Sequence, residues 1–466
     1  MGESAAPVFA VVGHPNKGKS SIVATLAEDE SIRVSAEPGT TTDADRFAFV
    51  LNERTLYELV DTPGFQRARR ALDWMRQRET TAAEHAKVVA EFVAAHRAGD
   101  MHRDEAALLR PILDGAAILY VVDGSTPFGP QYEAEMEVLR WTGRPSMALI
   151  NPIGRADHVE EWRNALSQYF KVVRVFDAMT AEFDKRLDLL RAFGQLDESW
   201  RAPMDAAVDA LVAEDERRRQ RSVELIADLV IDAMTHRESV KLAAEEDAAK
   251  RRPELEERYR AFMRKAERRC RSQVESLYRH ERLERREGEL PLIDEDLFSE
   301  GSWSAFGLSR GDMVRLGFVG GGAAGVAAGI GVDAAVAGAS LFAATAIGGL
   351  VGSIGGAASG WWAMDRLARA RLLNQPLGGR LLTYGPADNV NLAFVMLGRA
   401  LAHHRSIARR THAARGELVV DPPSSWDAEQ KRRLTKAIDA VRRQRGDTYA
   451  AREGLIEAIT TVMRSG

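Results

Sequence analysis

PVFAVVGHPNKGKSSIVATL, residues 7–26, runs from an apolar strand pattern through a glycine-bearing loop into a helical pattern. Within it, residues 13–20, GHPNKGKS, satisfy G-x-x-x-x-G-K-[ST] in the strand–loop–helix setting that gives the pattern physical meaning. Gly13 and Gly18 let the loop wind tightly enough for successive backbone N–H groups to converge on phosphate. The N-terminus of the following helix adds partial positive charge. Lys19 is expected to reach the β- and γ-phosphates and Ser20 to ligate Mg2+, with Asn16, Lys17 and Ser21 in the same cradle. Two more elements stand where phosphate chemistry needs them. EPGTTTD, residues 37–43, offers a threonine that can close on magnesium when a γ-phosphate is present. DTPG, residues 61–64, supplies Asp61 for the magnesium's water shell and the Gly64 N–H for the γ-phosphate.

Around these motifs, strand-like runs alternate with helical patterns from residue 7 to about residue 197: PVFAVVG, FAFVL, TLYELVD, AAILYVVDG, SMALINP and VVRVFDA. The alternation predicts an α/β P-loop domain over residues 1–197, with a mixed, mostly parallel six-stranded sheet and helices on both faces. The stretch between the third and fourth runs is rich in Ala, Glu, Arg and His, and predicts a helical insertion at about residues 66–112.

GHPNKGKS, PGTTTD and DTPG together resemble the Era/TrmE/EngA branch of translation-factor-related GTPases, over residues 7 to about 180. The resemblance implies GTP and GDP as ligands, Mg2+ as cofactor and hydrolysis of GTP to GDP and phosphate. It makes Thr41 the switch I threonine, two residues before Asp43, with Thr42 where the family has arginine. Lys19, Thr41 and Gly64 are the expected catalytic groups, and Ser20, Thr41 and Asp61 the expected metal ligands. The overall layout also resembles proteins in which such a domain precedes a DUF3482-type domain.

Two departures from that branch bear on activity. Its guanine-reading N-K-x-D becomes NPIGRAD at 151–157: Asn151 is in place, Pro152 replaces the lysine, and Gly154 stands at the aspartate position. Asp157 is a substitute acceptor if the loop is longer, and the base-supporting Ser-Ala becomes Asp177-Ala178. Weakened guanine preference is expected. Phe65 follows Gly64 where a Ras-type site has the glutamine that orients water, so hydrolysis is expected to be slow without a partner or cation. Some members of the branch use K+ near the P-loop asparagine, here Asn16. Gln66, Arg67, Arg69 and Arg70 read as a solvated helix start.

Beyond residue 197 the composition turns to Glu, Arg, Ala and Leu, predicting a mainly α-helical half. It divides into a charged stalk or bundle at 198–310, a glycine-rich helical hairpin at 311–364 and a C-terminal helical region at 365–466. Its charge runs, and His403, His404 and His412, read as solvated decoration. Gly317, Gly321, Gly325 and Gly329 form one four-residue ladder, and Gly348, Gly352, Gly356 and Gly360 another. Each glycine inside a helix costs about 1 kcal/mol relative to alanine, so close helix packing is the compensation expected. The uncharged stretches Leu316–Val332 and Ala334–Met364 predict membrane insertion or association at the inner face of the cell membrane, with a buried soluble hairpin as the alternative.

The net charge of −4, from 64 basic and 68 acidic residues, advertises no nucleic-acid partner. The resemblance to the Era branch nonetheless makes a soluble RNA- or ribosome-associated GTPase the second function class. A nucleotide-binding scaffold with little hydrolysis is a third. The single cysteine, Cys270, excludes intrachain disulfides and cysteine-built zinc sites, which fits a cytoplasmic protein. A membrane or membrane-protein partner and a homodimer are the expected associations.

Overall fold

The computed structural model describes residues 6–31, 44–78, 81–97, 101–243, 246–280, 283, 332–333, 371–372, 375–376, 380–386, 390–414, 416, 418, 420, 426–443 and 448–465. Two compact units make up the chain. The first comprises Met1–Arg218, Ser276–Arg285 and Ile407–Glu417, and the second comprises Arg219–Glu275, Arg286–Ser406 and Leu418–Gly466.

In the first unit, β1 (Val8–Val12), β2 (Asp45–Leu51), β3 (Arg54–Asp61), β4 (Ala117–Asp123), β5 (Ser146–Asn151) and β6 (Val173–Val175) form one sheet in the order β2-β3-β1-β4-β5-β6. Only β2 runs antiparallel, to β3; the other pairings are parallel. This is the expected mixed, mostly parallel sheet. Parallel strands covered on both faces read as unbroken apolar runs, and the two-residue strand period sorts those runs between two cores. Phe9 and Val11 pack with α1 (Lys19–Ala27), α7 (Phe183–Phe193) and the start of α8 (Glu198–Thr235). Ala10 and Val12 pack with α2 (Ala68–Arg76), α3 (His85–Ala95), α4 (Arg103–Leu113), α5 (Gln131–Trp141) and α6 (Val159–Leu166). α2 to α4 occupy the stretch between β3 and β4. Phe92, Leu108, Leu109 and Ile112, all 0% exposed, make it part of the core. Burial of each such side chain is worth about 1.5–3 kcal/mol. Because β3 and β4 flank β1, the winding reverses about β1, and the crevice at the carboxyl ends of these strands is where such sheets bind ligands.

The second unit holds the rest of α8, β7 (Glu238–Leu242), most of α9 (Ala248–Leu277), β8 (Val332–Asp333), β9 (Arg371–Leu372), β10 (Gln375–Pro376), β11 (Arg380–Tyr384), most of α10 (Asn391–Arg409), α11 (Ala428–Arg443) and α12 (Thr448–Ser465). It is mainly helical as expected, with the antiparallel sheet β7-β11-β8 added. The expectation of solvated charge needs correction here. Glu267 and Glu275 of α9 are buried because Arg399 Nε donates to Glu267 Oε1 at 2.6 Å and His403 Nε2 lies 3.0 Å from Glu275 Oε1. His403 and His404 are buried rather than decorative, and so is His412, which belongs to the first unit. Burial lowers the pKa of His404 to about 3, helped by His403 and Arg219, so its imidazole is neutral at pH 7. Cys270 is also buried, and burial pushes its thiol up to about 12, which leaves it inert. Of the glycine-rich segment only Val332–Asp333 is described, as β8 paired with β11. The expected helical hairpin otherwise lies outside the described residues. Among those residues no helix is long and apolar enough to cross a membrane.

Candidate nucleotide-binding site

β1 delivers the loop Gly13–Gly18, and α1 begins at Lys19. Gly18 has φ +84°, and an ideal Cβ there would lie 2.1 Å from Asn151 Nδ2, so only glycine fits between the loop and the end of β5. On the other flank, a Cβ on Gly64 would lie 2.5 Å from the Pro15 nitrogen. The phosphate loop is therefore gripped between the DTPG segment and the base-side loop. Phe65 N–H donates to Gly13 O at 3.1 Å and completes that grip. Lys19, Ser20 and Ser21 occupy the first helical turn, where N–H groups lack intrahelical acceptors and can meet an anion.

Lys19 is 7% exposed and its Nζ donates to His14 O at 3.1 Å. Burial lowers its pKa, opposed by the charges of Asp61 and Glu135. Glu135 of α5 is itself buried; burial raises its carboxyl, while bonds from His14 Nδ1 at 2.8 Å and the Tyr120 hydroxyl at 2.9 Å oppose the rise. Ser20 Oγ donates to Asp61 Oδ2 at 2.6 Å. A hydroxyl and a carboxylate this close are the hard oxygen donors that Mg2+ takes, and they fit the ion. No three His, Cys, Asp or Glu gather into a metal cage among the described residues. Thr41 lies outside the described residues.

Asn16 is exposed, with φ +59°, the loop-shaping conformation asparagine tolerates. Lys17 Nζ lies 3.2 Å from Thr126 Oγ1 and 3.4 Å from Asp123 Oδ2. Burial works to raise the Asp123 carboxyl, but hydrogen bonds from Ser125, the Lys17 charge and the Ile153 N–H hold it below its ordinary value. Asp123 therefore does more than cap its own turn: it ties the phosphate loop to the base-side loop.

Asn151 stands where the motif requires. Its Nδ2 donates to Lys17 O and its Oδ1 accepts from Ala178 N, both at 3.2 Å, joining phosphate loop, base loop and base-supporting loop. Asp157 is 57% exposed and 3.4 Å from Arg155. Asp177 accepts from Met179 N at 2.9 Å and Thr180 Oγ1 at 2.8 Å, closing its own turn.

The Phe65 ring is 1% exposed and belongs to the core shared with α2 to α5, so it reaches no attacking water. The next two N–H groups, of Gln66 and Arg67, both donate to Glu105 Oε1 of α4, at 2.9 and 2.5 Å. Arg67 Nη1 donates to Met101 O at 2.8 Å, while Arg69 and Arg70 are exposed, as a solvated helix start requires. Glu105, Glu135 and Lys17–Asp123 are contributions that the motifs did not reveal. Each depends on a partner distant in the chain, and no local pattern marks it.

Comparison with known proteins agrees with this geometry. A family model described as "50S ribosome-binding GTPase" matches residues 8–151. The GTPase Der of Coxiella burnetii is 31% identical over 118 residues, 25% of this chain and 26% of that protein. The GTPase Der of Gloeothece citriformis is 26% identical over 204 residues, 41% of this chain and 38% of that protein. The chain thus spans well under half the length of these curated relatives. An Aquifex aeolicus Era variant bound to GDP and aluminium fluoride aligns at 14% identity with a TM-score of 0.28, covering 58% of this chain and 89% of that one. A further model, "Domain of unknown function (DUF3482)", matches residues 163–458, more than half of the chain. The chain belongs to the DUF3482 family and carries near its N-terminus a P-loop GTPase domain similar in sequence to that of Der.

Proposed function

We propose that this protein is a slowly hydrolysing GTP switch whose nucleotide state controls its helical C-terminal half, which associates with the inner face of the cell membrane. The observation that carries the reading is the convergence of Lys19, Ser20 and Asp61 at the carboxyl ends of β1 and β3. Lys19 and the first-turn N–H groups bind the β- and γ-phosphates; Ser20 and Asp61 would hold Mg2+, which would supply charge neutralisation of the phosphates. Thr41 is the third proposed metal ligand and the Gly64 N–H the γ-phosphate sensor. With Phe65 buried, no side chain at that position orients water, so transition-state charge falls to Lys19, backbone N–H groups and a further cation. K+ beside Asn16 is the proposed cation.

The test is turnover of GTP and ATP by the full chain in potassium and in sodium. Turnover should be slow, faster in potassium, and favour GTP by a smaller margin than a free base-loop carboxylate gives. Equal handling of ATP and GTP would remove guanine specificity, and equal rates in the two salts would remove K+ at Asn16.

The membrane arm rests on the two uncharged stretches around Asp333. The full chain should float with anionic liposomes, to an extent that differs between GTP and GDP. The name of the matched GTPase family favours a ribosomal partner as the second reading. Co-sedimentation with ribosomal subunits, and no flotation, would select it.

A further inference from the structure

The family match over residues 8–151 ends at Asn151, yet the base end of the site continues through Asp177, Ala178 and Met179, inside the DUF3482 match. Three hydrogen bonds hold that loop. Ala178 N donates to Asn151 Oδ1 at 3.2 Å, Thr25 Oγ1 of α1 donates to Ala178 O at 2.8 Å, and Thr411 Oγ1 donates to Met179 O at 3.1 Å. Thr411 is 232 positions from Met179 in sequence, but Ile407–Glu417 belongs to the first compact unit. It is no loose strap: Thr411 is 4% exposed, His412 3% and Ala413 0%, and Ala413 shares a core with Ala178.

The neighbouring contacts fix Thr411 in place. His412 Nε2 lies 3.1 Å from Tyr278 O, a carbonyl that can only accept, so this nitrogen carries the proton. The His412 ring stacks on His280 with centroids 4.3 Å apart, and His280 Nδ1 lies 2.7 Å from Glu30 Oε1, just beyond α1. The same helix therefore starts at the phosphate with Lys19 and leads to Glu30, while its Thr25 and the distant Thr411 grip adjacent carbonyls of the base-supporting loop.

We propose that Thr411 is a positioning residue of the nucleotide site, fixing the Met179 carbonyl so that the loop Asp177–Met179 is preset to receive the base. Guanine-nucleotide retention then depends on a residue supplied from the far end of the DUF3482 match. By reciprocity, any event that displaces residues 407–417 loosens the nucleotide, and nucleotide binding steadies those residues. This rests on the nucleotide-binding reading above.

The experiment measures dissociation of a fluorescent GDP from the full chain, and competition by GTP and by inorganic tripolyphosphate, which engages the phosphate half alone. Thr411→Val keeps the shape and removes the donor; Thr411→Ser keeps the donor. A buried hydrogen bond of about 1 kcal/mol corresponds to roughly a fivefold change. T411V should release GDP about fivefold faster and compete less well as GTP complex, with tripolyphosphate affinity unchanged and T411S close to wild type. Wild-type retention in T411V overturns the proposal, as does equal weakening of GTP and tripolyphosphate, which would mean a global loss of structure. A wild-type chain that binds tripolyphosphate but no guanine nucleotide defeats the guanine-switch reading instead.

Discussion

Lys19→Ala is expected to abolish GTP binding, with a loss of at least about 100-fold in affinity, or about 2.7 kcal/mol. The ammonium is buried at 7% exposure and parked 3.1 Å from the His14 carbonyl, so it is already desolvated and aimed along the loop before any phosphate arrives. No neighbour can replace it. Lys17 is drawn away to Asp123 and Thr126, and His14 is held by Glu135. Removing the charge leaves the phosphates opposite Asp61 and Glu135, the two carboxyl groups that Lys19 now faces. Because burial draws the Lys19 pKa below the usual lysine range, wild-type binding should also weaken on the alkaline side earlier than an ordinary lysine would allow. Titration calorimetry with GTP and magnesium checks both statements, and unchanged affinity in the alanine variant would end the P-loop assignment.

The phosphate half of this site was legible because its chemistry is local. Gly13 to Ser21 are contiguous, and their geometry follows from a strand, a loop and a helix in succession. Asn151 was legible for a related reason, since it ends an apolar run in the position that touches the loop. The six strands were legible from their unbroken apolar runs, as buried parallel strands must be. What stayed hidden depends on distance along the chain. Glu28 reads in sequence as one acid among Glu28, Asp29 and Glu30, yet its partners are 158 and 190 positions away. Glu105 looks like an ordinary first-turn acid of α4 until the chain brings Gln66 and Arg67 to it. His403, His404 and His412 sit among arginines, and that local composition argued for solvent exposure. Their burial comes from α9 and from the return of residues 407–417 to the first unit.

Arg218→Ala is expected to destabilise the first unit by about 3–5 kcal/mol, the range for removing one partner of a buried ion pair. Glu28 ends α1 with φ +50°, and its side chain is 2% exposed. Arg218 Nη2 meets Glu28 Oε2 at 2.8 Å and Nη1 meets Oε1 at 3.3 Å, while Arg186 Nη1 reaches Oε1 at 3.0 Å. Arg218 Nε is meanwhile held by Glu214 at 3.1 Å, which keeps the guanidinium plane aimed. Burial alone would raise the Glu28 carboxyl, but the charges of Arg186 and Arg218 outweigh it and hold the pKa well below the carboxylate range. A depressed folded-state pKa gives stability that is fully present above the unfolded value of about 4.3 and lost as pH falls towards the folded value. The wild-type chain should therefore keep this contribution from pH 7 down to about pH 5 and lose it progressively in stronger acid. In the alanine variant Arg186, with a smaller contribution from His412, is left to oppose burial, so the buried carboxylate costs more at neutral pH and its protonation costs less in acid. The gap between variant and wild type should be widest near pH 7 and narrow below about pH 4. Replacing both partners, Glu28→Leu with Arg218→Met, removes the stranded carboxylate but leaves Arg186 without its acceptor, so it should recover only part of the loss. Urea titrations of the three proteins at pH 7 and in acid decide the matter, and a single alanine variant as stable as wild type at pH 7 would mean that the cluster does not hold the end of α1.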